Sequence, residues 1–108
     1  MPTLEASGTL TADGTEQTLT TLTSNKTFIL VVDTANMVNG EEVGLKVYST
    51  CLAAGASRLA YYACYIHTQG IPLKFSVPVP SDISFIATLK QVAYVTAYKT
   101  FPWKVLSL

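Results

Sequence analysis

The chain has 108 residues, of which 13% are charged, and its seven basic residues balance seven acidic ones. That length suits one domain over residues 1–108 with no second core, and the absence of a Lys/Arg cluster argues against nucleic acid or an anionic membrane as a partner. No apolar stretch approaches the roughly 20 residues of a membrane span, and residues 1–5 lack the pattern of a secretory signal, so we expect synthesis in the cytoplasm.

Short alternating segments separated by turn residues predict β-strands throughout the sequence. Threonine, valine, isoleucine and aromatic residues, which suit a pleated sheet, are abundant. In chain order the pattern predicts strands over residues 4–11, 16–22, 26–33, 42–51, 58–68, 71–80, 83–91 and 103–108. The clearest turn signals between them are Asp13-Gly14 and Asn39-Gly40. About eight such strands predict an all-β, single-domain antiparallel β-sandwich, either a jelly roll or an immunoglobulin-like fold.

Three segments depart from the regular alternation. Residues 26–33 are apolar on both faces, which predicts a central strand, and Asp33 or Thr34 is placed to cap one helical turn after it. Residues 71–80 alternate apolar side chains with residues that include three prolines, which cannot donate ladder hydrogen bonds, so we expect an edge strand or an extended arm. Residues 92–100 fit either a continuation of the preceding strand or an aromatic loop.

A hairpin is predicted for residues 42–51 and 58–68, turning about Gly55, which can adopt the positive φ that such a loop requires. The resulting register pairs Val43 with His67, Leu45 with Tyr65, Val47 with Ala63, Ser49 with Tyr61 and Tyr48 with Tyr62. Cys51 and Cys64 then lie about 17 Å apart along the ribbon, beyond the roughly 7 Å that a disulfide spans. We therefore expect two free thiols, buried in the domain.

No combination of side chains in the sequence suits catalysis, a metal ion or a cofactor, and we expect a protein that is not an enzyme. His67, the one histidine, lies three residues from Cys64 and so on the opposite face of its strand, which separates a nucleophile from its base. The adjacent Glu41 and Glu42 also point to opposite faces and cannot form the facing carboxylates of a glycosidase. Two thiols and one histidine fall short of the four ligands of structural zinc.

Aromatic and apolar side chains beyond the needs of one core mark a candidate protein interface. Residues 58–68 are apolar on both faces, whereas a two-layer sandwich covers only one face of a strand. With few charges present, this predicts that another chain covers the second face, as in a homo-oligomer (dimer or trimer); a closed barrel with small outward residues is the alternative. The candidate interface residues are Tyr48, Tyr62, Ile66, Phe75, Val77, Tyr94, Tyr98 and Trp103. Aromatic side chains also stack on sugars, so a carbohydrate contact is a second interpretation.

Several stretches of the sequence resemble a known family. They are Leu10 to Leu19, Val31 to Met37, Leu89 to Gln91 and Phe101-Pro102-Trp103. In these stretches, and over nearly its whole length, the chain is similar to small β-rich structural (capsid-associated) proteins of tailed bacteriophages. Members of that family carry a Gly-rich turn before Phe-Pro-Trp, and residues 92–99 of this chain depart from that pattern.

The resemblance implies a location in the virion, after synthesis in the cytoplasm of a bacterial host. It further implies a capsid decoration (cement) role, in which the protein binds the major capsid protein and stabilises the shell. A tail, fibre or host-surface adhesion module, with or without a carbohydrate contact, is the alternative. Neither interpretation implies a cofactor.

Overall fold

A computed structural model describes residues 2–108 and forms strands close to where the alternation predicts them. They are β1 (Thr3–Thr11), β2 (Gln17–Leu22), β3 (Lys26–Asp33), β4 (Glu42–Thr50), β5 (Ser57–Ile66), β6 (Leu73–Phe75), β7 (Val79–Ser81), β8 (Phe85–Ala93) and β9 (Thr100–Ser107). After Asp33, where one capped helical turn was predicted, the chain forms no helix, although Asp33 does act as a cap. A single turn forms there instead, in which Met37 N donates to Thr34 O at 3.1 Å and Asp33 Oδ1 accepts from Ala35 N.

The strands form two antiparallel sheets that pack against each other, which confirms the predicted all-β sandwich. Sheet A has the order β1-β9-β3-β6, with β7 also paired to β3, and sheet B has the order β2-β8-β4-β5. The segment predicted to be central, β3, lies between β9 on one side and β6 with β7 on the other. Its inward residues Phe28, Leu30 and Val32 join the core, where the ring of Phe28 lies 5.0 Å from that of Phe85.

The connectivity is that of a jelly roll. The chain forms one nested hairpin, because β4 pairs with β5, β3 with β6 and β7, β2 with β8, and β1 with β9. Successive pairs fall alternately in sheet B and sheet A, so the nested hairpin is wrapped into a two-layer sandwich. This pattern is the double Greek key of jelly rolls and excludes the immunoglobulin-like alternative.

The hairpin of β4 and β5 forms, but its predicted register is wrong by two residues up to Val47 and by three beyond the bulge at Ala60, where Ser49 pairs with Arg58. Val43 pairs with Tyr65, where His67 was expected, and Lys46 rather than Tyr48 lies opposite Tyr62. The shift arises because Ala54, not Gly55, adopts the left-handed conformation, with a φ of 67°. The slip of two residues keeps the side chains of residues 61–65 on their predicted face, since the period of a strand is two.

The two cysteines are free, as expected, but both are exposed and not buried. Cys51 follows the pair formed by Thr50 and Ser57, whereas Cys64 pairs with Gly44. About 20 Å of ribbon separates the two thiols at ~3.3 Å per residue, so they cannot bridge. The prediction of free thiols is confirmed, and the prediction of their burial is wrong.

The proline-rich segment lies at an edge of sheet A, as predicted, but it forms two short strands. Between β6 and β7, Ser76 takes the place of a regular ladder residue: its N donates to Leu30 O at 2.8 Å, and its Oγ accepts from Leu30 N at 2.9 Å. The alternating side chains of the segment do not share one environment. Val79 is buried, while Leu73, Phe75 and Val77 are exposed.

Residues 92–100, for which a strand continuation and an aromatic loop were the two predicted alternatives, form part of each. Strand β8 continues to Ala93, and residues 94–99 form a loop with a bridge between Val95 and Ala97. Strand β9 then begins at Thr100, three residues before the predicted start.

Candidate protein interface

The outer face of sheet A carries several uncovered apolar side chains. Because side chains alternate along β3, Val31 points away from the core, and paired residues on neighbouring strands share that face. We call this surface the outer patch: Leu4, Val31, Leu73, Phe75 and Pro102. Leu4, Leu73 and Phe75 are 57%, 45% and 56% exposed, respectively. Apolar side chains gathered in this way on a sheet face are typical of protein contacts.

A shallow groove of about 280 Å³ crosses the outer patch. Val31 is buried and forms its floor, and Leu4, Leu73 and Pro102 are among its walls. One acidic and one basic residue, Asp33 and Lys104, also line it, so the groove has no net charge. A groove that is open and mostly apolar suits a strand or side chain of another protein better than a small polar ligand.

The outer face of sheet B presents a mixed surface that includes three of the predicted interface residues. Tyr62 and Ile66 on β5 are exposed, and Tyr48 on β4 is half-buried. The Lys46 ammonium lies 5.6 Å from the centre of the Tyr62 ring, in cation–π geometry. About half of the Tyr62 side chain and half of the Ile66 side chain remain exposed and can contact another molecule.

Glu16, the residue before β2, links β8 and β4 on this same face. Its Oε2 accepts hydrogen bonds from Thr88 Oγ1 at 2.8 Å and from Tyr48 Oη at 2.9 Å, and Lys46 Nζ lies 3.8 Å from its Oε1. The hydrogen bond from Thr88 is the main cause that lowers the pKa of Glu16, while donation to this carboxylate raises the pKa of Tyr48. The Tyr48 hydroxyl is thus already engaged within the chain.

The aromatic side chains near residue 100 have different surroundings from one another. The rings of Tyr94 and Tyr98 lie 4.3 Å apart at an angle of 40°. Tyr94 is exposed, whereas Tyr98 and Trp103 are half-buried and pack against the core. A Cβ atom at Gly8 would lie 3.3 Å from the indole of Trp103, so the glycine lets β1 approach this ring.

A buried ion pair fixes the loop that carries these tyrosines. The fully buried carboxylate of Glu41 accepts from Lys99 Nζ at 2.8 Å, Val38 N at 2.9 Å and Val95 N at 3.1 Å. Burial alone would raise the pKa of Glu41, but these donors outweigh it and hold the pKa below its usual value. Gln91, also fully buried, accepts from Lys99 N at 2.9 Å. The loop is therefore held from inside the domain.

His67 and Cys64 make local structural contacts. His67 Nδ1 accepts from Gly40 N at 2.9 Å, which fastens the end of β5 to the β3–β4 connection. Cys64 Sγ donates to Glu42 Oε2 at 3.1 Å, and partial desolvation together with this bond raises the pKa of the exposed thiol. A thiol with a raised pKa is a poor nucleophile at neutral pH.

Two further features concern the described part of the chain, residues 2–108. No three His, Cys, Asp or Glu side chains there are grouped closely enough to hold a metal ion. The same residues include no helix with the length and apolar character needed to cross a bilayer.

The eight predicted interface residues do not form one surface. Tyr48, Tyr62 and Ile66 lie on the outer face of sheet B, Phe75 and Val77 at the edge of sheet A, and Tyr94 and Tyr98 in the β8–β9 loop. Trp103 packs partly against the core and also lines the groove that crosses the outer patch. Sequence reasoning missed Leu4 and Leu73 of the outer patch. The alternation of residues 71–80 places Leu73 on the same face as Phe75, so the sequence could have indicated Leu73. No local pattern connects Leu4 to either residue.

Comparisons with protein-family models, with curated proteins and with solved structures find no match to this chain.

Proposed function

We propose that this protein is a non-enzymatic structural component of a bacteriophage virion, a decoration protein that binds the major capsid protein from outside the shell. The observation that carries the proposal is the outer patch, an uncovered apolar surface on a rigid sheet. The similarity of the sequence to capsid-associated phage proteins supplies the class of partner. Jelly rolls occur in viral capsid proteins and in lectins, so the fold is compatible with the role without defining it.

The physical character of the outer patch favours a contact driven by apolar burial. About half of Leu4, Leu73 and Phe75 remains to be covered, and covering each contributes on the order of 1 kcal/mol. Asp33 and Lys104 cancel in charge, so no net field attracts a charged partner. Burial of apolar surface persists at high salt, whereas contacts between exposed charges are screened.

Binding to empty capsids tests the proposal directly. Purified protein is mixed with particles that lack it, sedimented in ordinary buffer and in roughly 1 M salt, and its occupancy on the particles is measured. We expect occupancy to survive the high salt. Phe75→Asp should reduce occupancy strongly, because it places a charge in the middle of a contact that must be desolvated.

Leu52→Asp is the matched control, since Leu52 is exposed to a similar or greater degree and lies in the β4–β5 turn, far from the outer patch along the chain. It should leave occupancy unchanged, and thermal melting should show that both variants fold. Absence of binding by the wild type, or loss of binding in high salt with no effect of Phe75→Asp, contradicts the proposal. In that case a glycan array tests the adhesion alternative.

A further inference from the structure

A small cavity lies on the outer face of sheet B, on the side of the sandwich opposite the outer patch. Its volume is about 150 Å³, and it opens where β8, β4 and β5 run side by side. We call it the sheet B cavity. The residues that shape it are Glu16, Gly44, Tyr62, Thr88, Lys90 and Val92, and Lys46 lines it as well. A volume well below the roughly 300 Å³ of sites for drug-sized ligands suits one small ring.

The floor of the cavity carries a glycine that the backbone does not require. Gly44 is buried inside β4 and pairs with Cys64 on one side and with Lys90 on the other. Its φ lies outside the left-handed region. A Cβ atom there would meet nothing closer than Tyr62 Cε1, at 3.4 Å, which is an ordinary contact. Glycine weakens the interior of a strand and often marks a position that a ligand approaches closely.

Two oxygen atoms in the cavity are held in place and can still accept hydrogen bonds. Glu16 Oε2 accepts from Thr88 Oγ1 and Tyr48 Oη, which orients the carboxylate. Its other oxygen, Oε1, accepts no hydrogen bond from residues 2–108, and Lys46 Nζ lies 3.8 Å from it, beyond hydrogen-bonding distance. Thr88 is buried, and because its hydroxyl hydrogen goes to Glu16, its oxygen is left as an acceptor. Both oxygens suit the hydroxyl groups of a ligand.

Lys90 adds a positive charge that no carboxylate of the described chain neutralises. Three salt bridges form among residues 2–108, and none of them includes Lys90. Lys46 and Lys90 line the cavity together with Glu16, so two ammonium groups and one carboxylate give it a net charge of one positive. One anionic group on a ligand therefore balances the cavity.

The cavity also has apolar walls, which a simple anion does not need. Tyr62 and Val92 border it and are 54% and 53% exposed. A sugar ring has apolar C–H faces, which pack on aromatic rings, and hydroxyl groups around its edge. An inorganic anion such as phosphate would leave these walls unused and would be repelled by the Glu16 carboxylate. The combination of groups therefore favours a sugar that carries one negative charge.

We propose that the sheet B cavity binds one acidic sugar residue of the uronic acid class, a pyranose ring with a single carboxylate. The sugar carboxylate pairs with Lys90, and sugar hydroxyls donate to Glu16 Oε1 and Thr88 Oγ1. A face of the ring lies against Tyr62, in the space that Gly44 leaves open. This site is separate from the outer patch, and it does not rest on the proposed capsid role.

An NMR titration of the isotope-labelled full chain tests the site, because it detects weak binding and locates it on the structure. The probe is sodium D-glucuronate. D-glucose is the control without a carboxylate, and sodium acetate and sodium phosphate are the controls without a sugar ring. We expect glucuronate to shift the amides around the cavity in β4, β5 and β8, and to do so saturably. Each control should bind on the order of tenfold more weakly, because it loses either the charge pairing or the contacts of the ring.

Two substitutions probe the two halves of the site. Lys90→Met removes the ammonium group and should weaken glucuronate binding about tenfold. Gly44→Val fills the floor and should abolish binding without loss of stability in thermal melting, since valine suits a strand better than glycine does. Lys104→Met is the matched control, because this exposed lysine lines the groove of the outer patch and not the sheet B cavity. It should leave glucuronate binding unchanged.

Several results would overturn the proposal. They are amides around the cavity that do not shift with glucuronate, a control compound that binds as tightly as glucuronate, and binding that is unchanged in both Lys90→Met and Gly44→Val. Phe75→Asp, on the outer patch, should leave glucuronate binding intact. Failure of capsid binding and failure of sugar binding are therefore separate outcomes.

Discussion

Two edge strands on the same side of the sandwich are protected to very different degrees. Lys74 on β6 places its ammonium 4.7 Å from the centre of the Tyr65 ring on β5, so the edges of sheet A and sheet B lie next to each other there. The β6–β7 edge is short, interrupted and rich in proline, whereas β5 is long, regular in its second half and free of proline. The β6–β7 edge is therefore protected against pairing with another strand, whereas most of the neighbouring β5 edge is not.

Because both edges are exposed, exposure alone does not explain why only one of them is protected against pairing with another strand. At the protected edge Ser76 supplies, through its N and Oγ, the two hydrogen bonds that Leu30 would otherwise lose. The chain thus ends this sheet at little cost in unsatisfied backbone groups. At β5 a side chain makes one such bond, from Gln69 Nε2 to Ile66 O at 2.8 Å, and among the described strands only β4 pairs with it.

The two edges also share one anchor. The β3–β4 connection holds the β5–β6 connection at both of its ends: Thr34 N donates to Pro72 O at 2.9 Å, and His67 N donates to Glu41 O at 2.8 Å. Glu41 also binds Lys99 through its side chain. A substitution that removes this ion pair should therefore destabilise both edges at once.

The largest effect is expected from Lys99→Met, which breaks the anchor common to the two edges. The substitution leaves the buried Glu41 carboxylate without its cation, and losing one partner of a buried pair costs about 3–5 kcal/mol. Chemical denaturation measures the change in the free energy of unfolding. The exposed Lys90→Met serves as a control and should change it by less than about 0.5 kcal/mol. Equal effects of the two substitutions would show that the ion pair does not hold the anchor.

A smaller effect, confined to the protected edge, is expected from Ser76→Ala. The buried N–H of Leu30 loses its acceptor, which costs about 1–3 kcal/mol. Ser24→Ala, at an exposed turn, is the matched control and should be nearly neutral. If Ser76→Ala is equally neutral, the serine does not satisfy this edge, and the contrast with β5 loses its physical basis. Thermal melting of both variants makes the comparison.

The anchor should also make stability depend on pH. The pKa of Glu41 is lower in the folded chain than in the unfolded one, so its contribution is complete above the unfolded value of about 4.3 and is lost as the pH falls through the folded value. The pKa is lowered in three other carboxyl groups as well, so each of them also contributes stability that is lost as the pH falls: Glu5, Asp13 and Glu16. The free energy of unfolding should therefore fall less steeply below pH ~4.3 in Glu41→Gln than in the wild type. Parallel profiles would contradict this assignment.

The smallest effect concerns the contact that bridges the two edges. Lys74 and Tyr65 should couple by about 0.5–1 kcal/mol, as expected for a cation over an aromatic ring that keeps some contact with solvent. A double-mutant cycle with Lys74→Met and Tyr65→Leu measures that coupling by chemical denaturation. A coupling indistinguishable from zero would mean that the edges are adjacent but energetically independent.

Local sequence patterns predicted where most strands lie along the chain. For two segments they also predicted the position in the sheet, because apolar alternation and proline are signals that a few neighbouring residues carry. Residues 26–33 are apolar on both faces and became the interior strand β3, and the prolines of residues 71–80 correctly marked an edge. The pairing of β1 with β9 joins residues about 100 positions apart, and no local period encodes it. The hairpin register failed because Ala54 adopts a conformation that alanine rarely takes and glycine readily does.

The site was less predictable than the fold. Tyr62 and Ile66 were expected to remain uncovered and are exposed, because strand alternation fixes the face of a residue even when the register slips. Glu41 was interpreted only as one member of an acidic pair. Its burial depends on Lys99, 58 residues later in the chain, and a contact of that range leaves no trace in local composition.

The pairing of β1 with β9 has a consequence for how the chain reaches its final structure. Thr3 pairs with Ser107, so β1 has no neighbour in sheet A until residues 100–107 have left the ribosome. Closing a loop of this length carries a large entropic cost before any contact repays it, which makes folding slow. During that delay β5 can already pair with β4 in their hairpin, and its other side is open. The jelly roll thus completes sheet A last, because its first strand must wait for its last one.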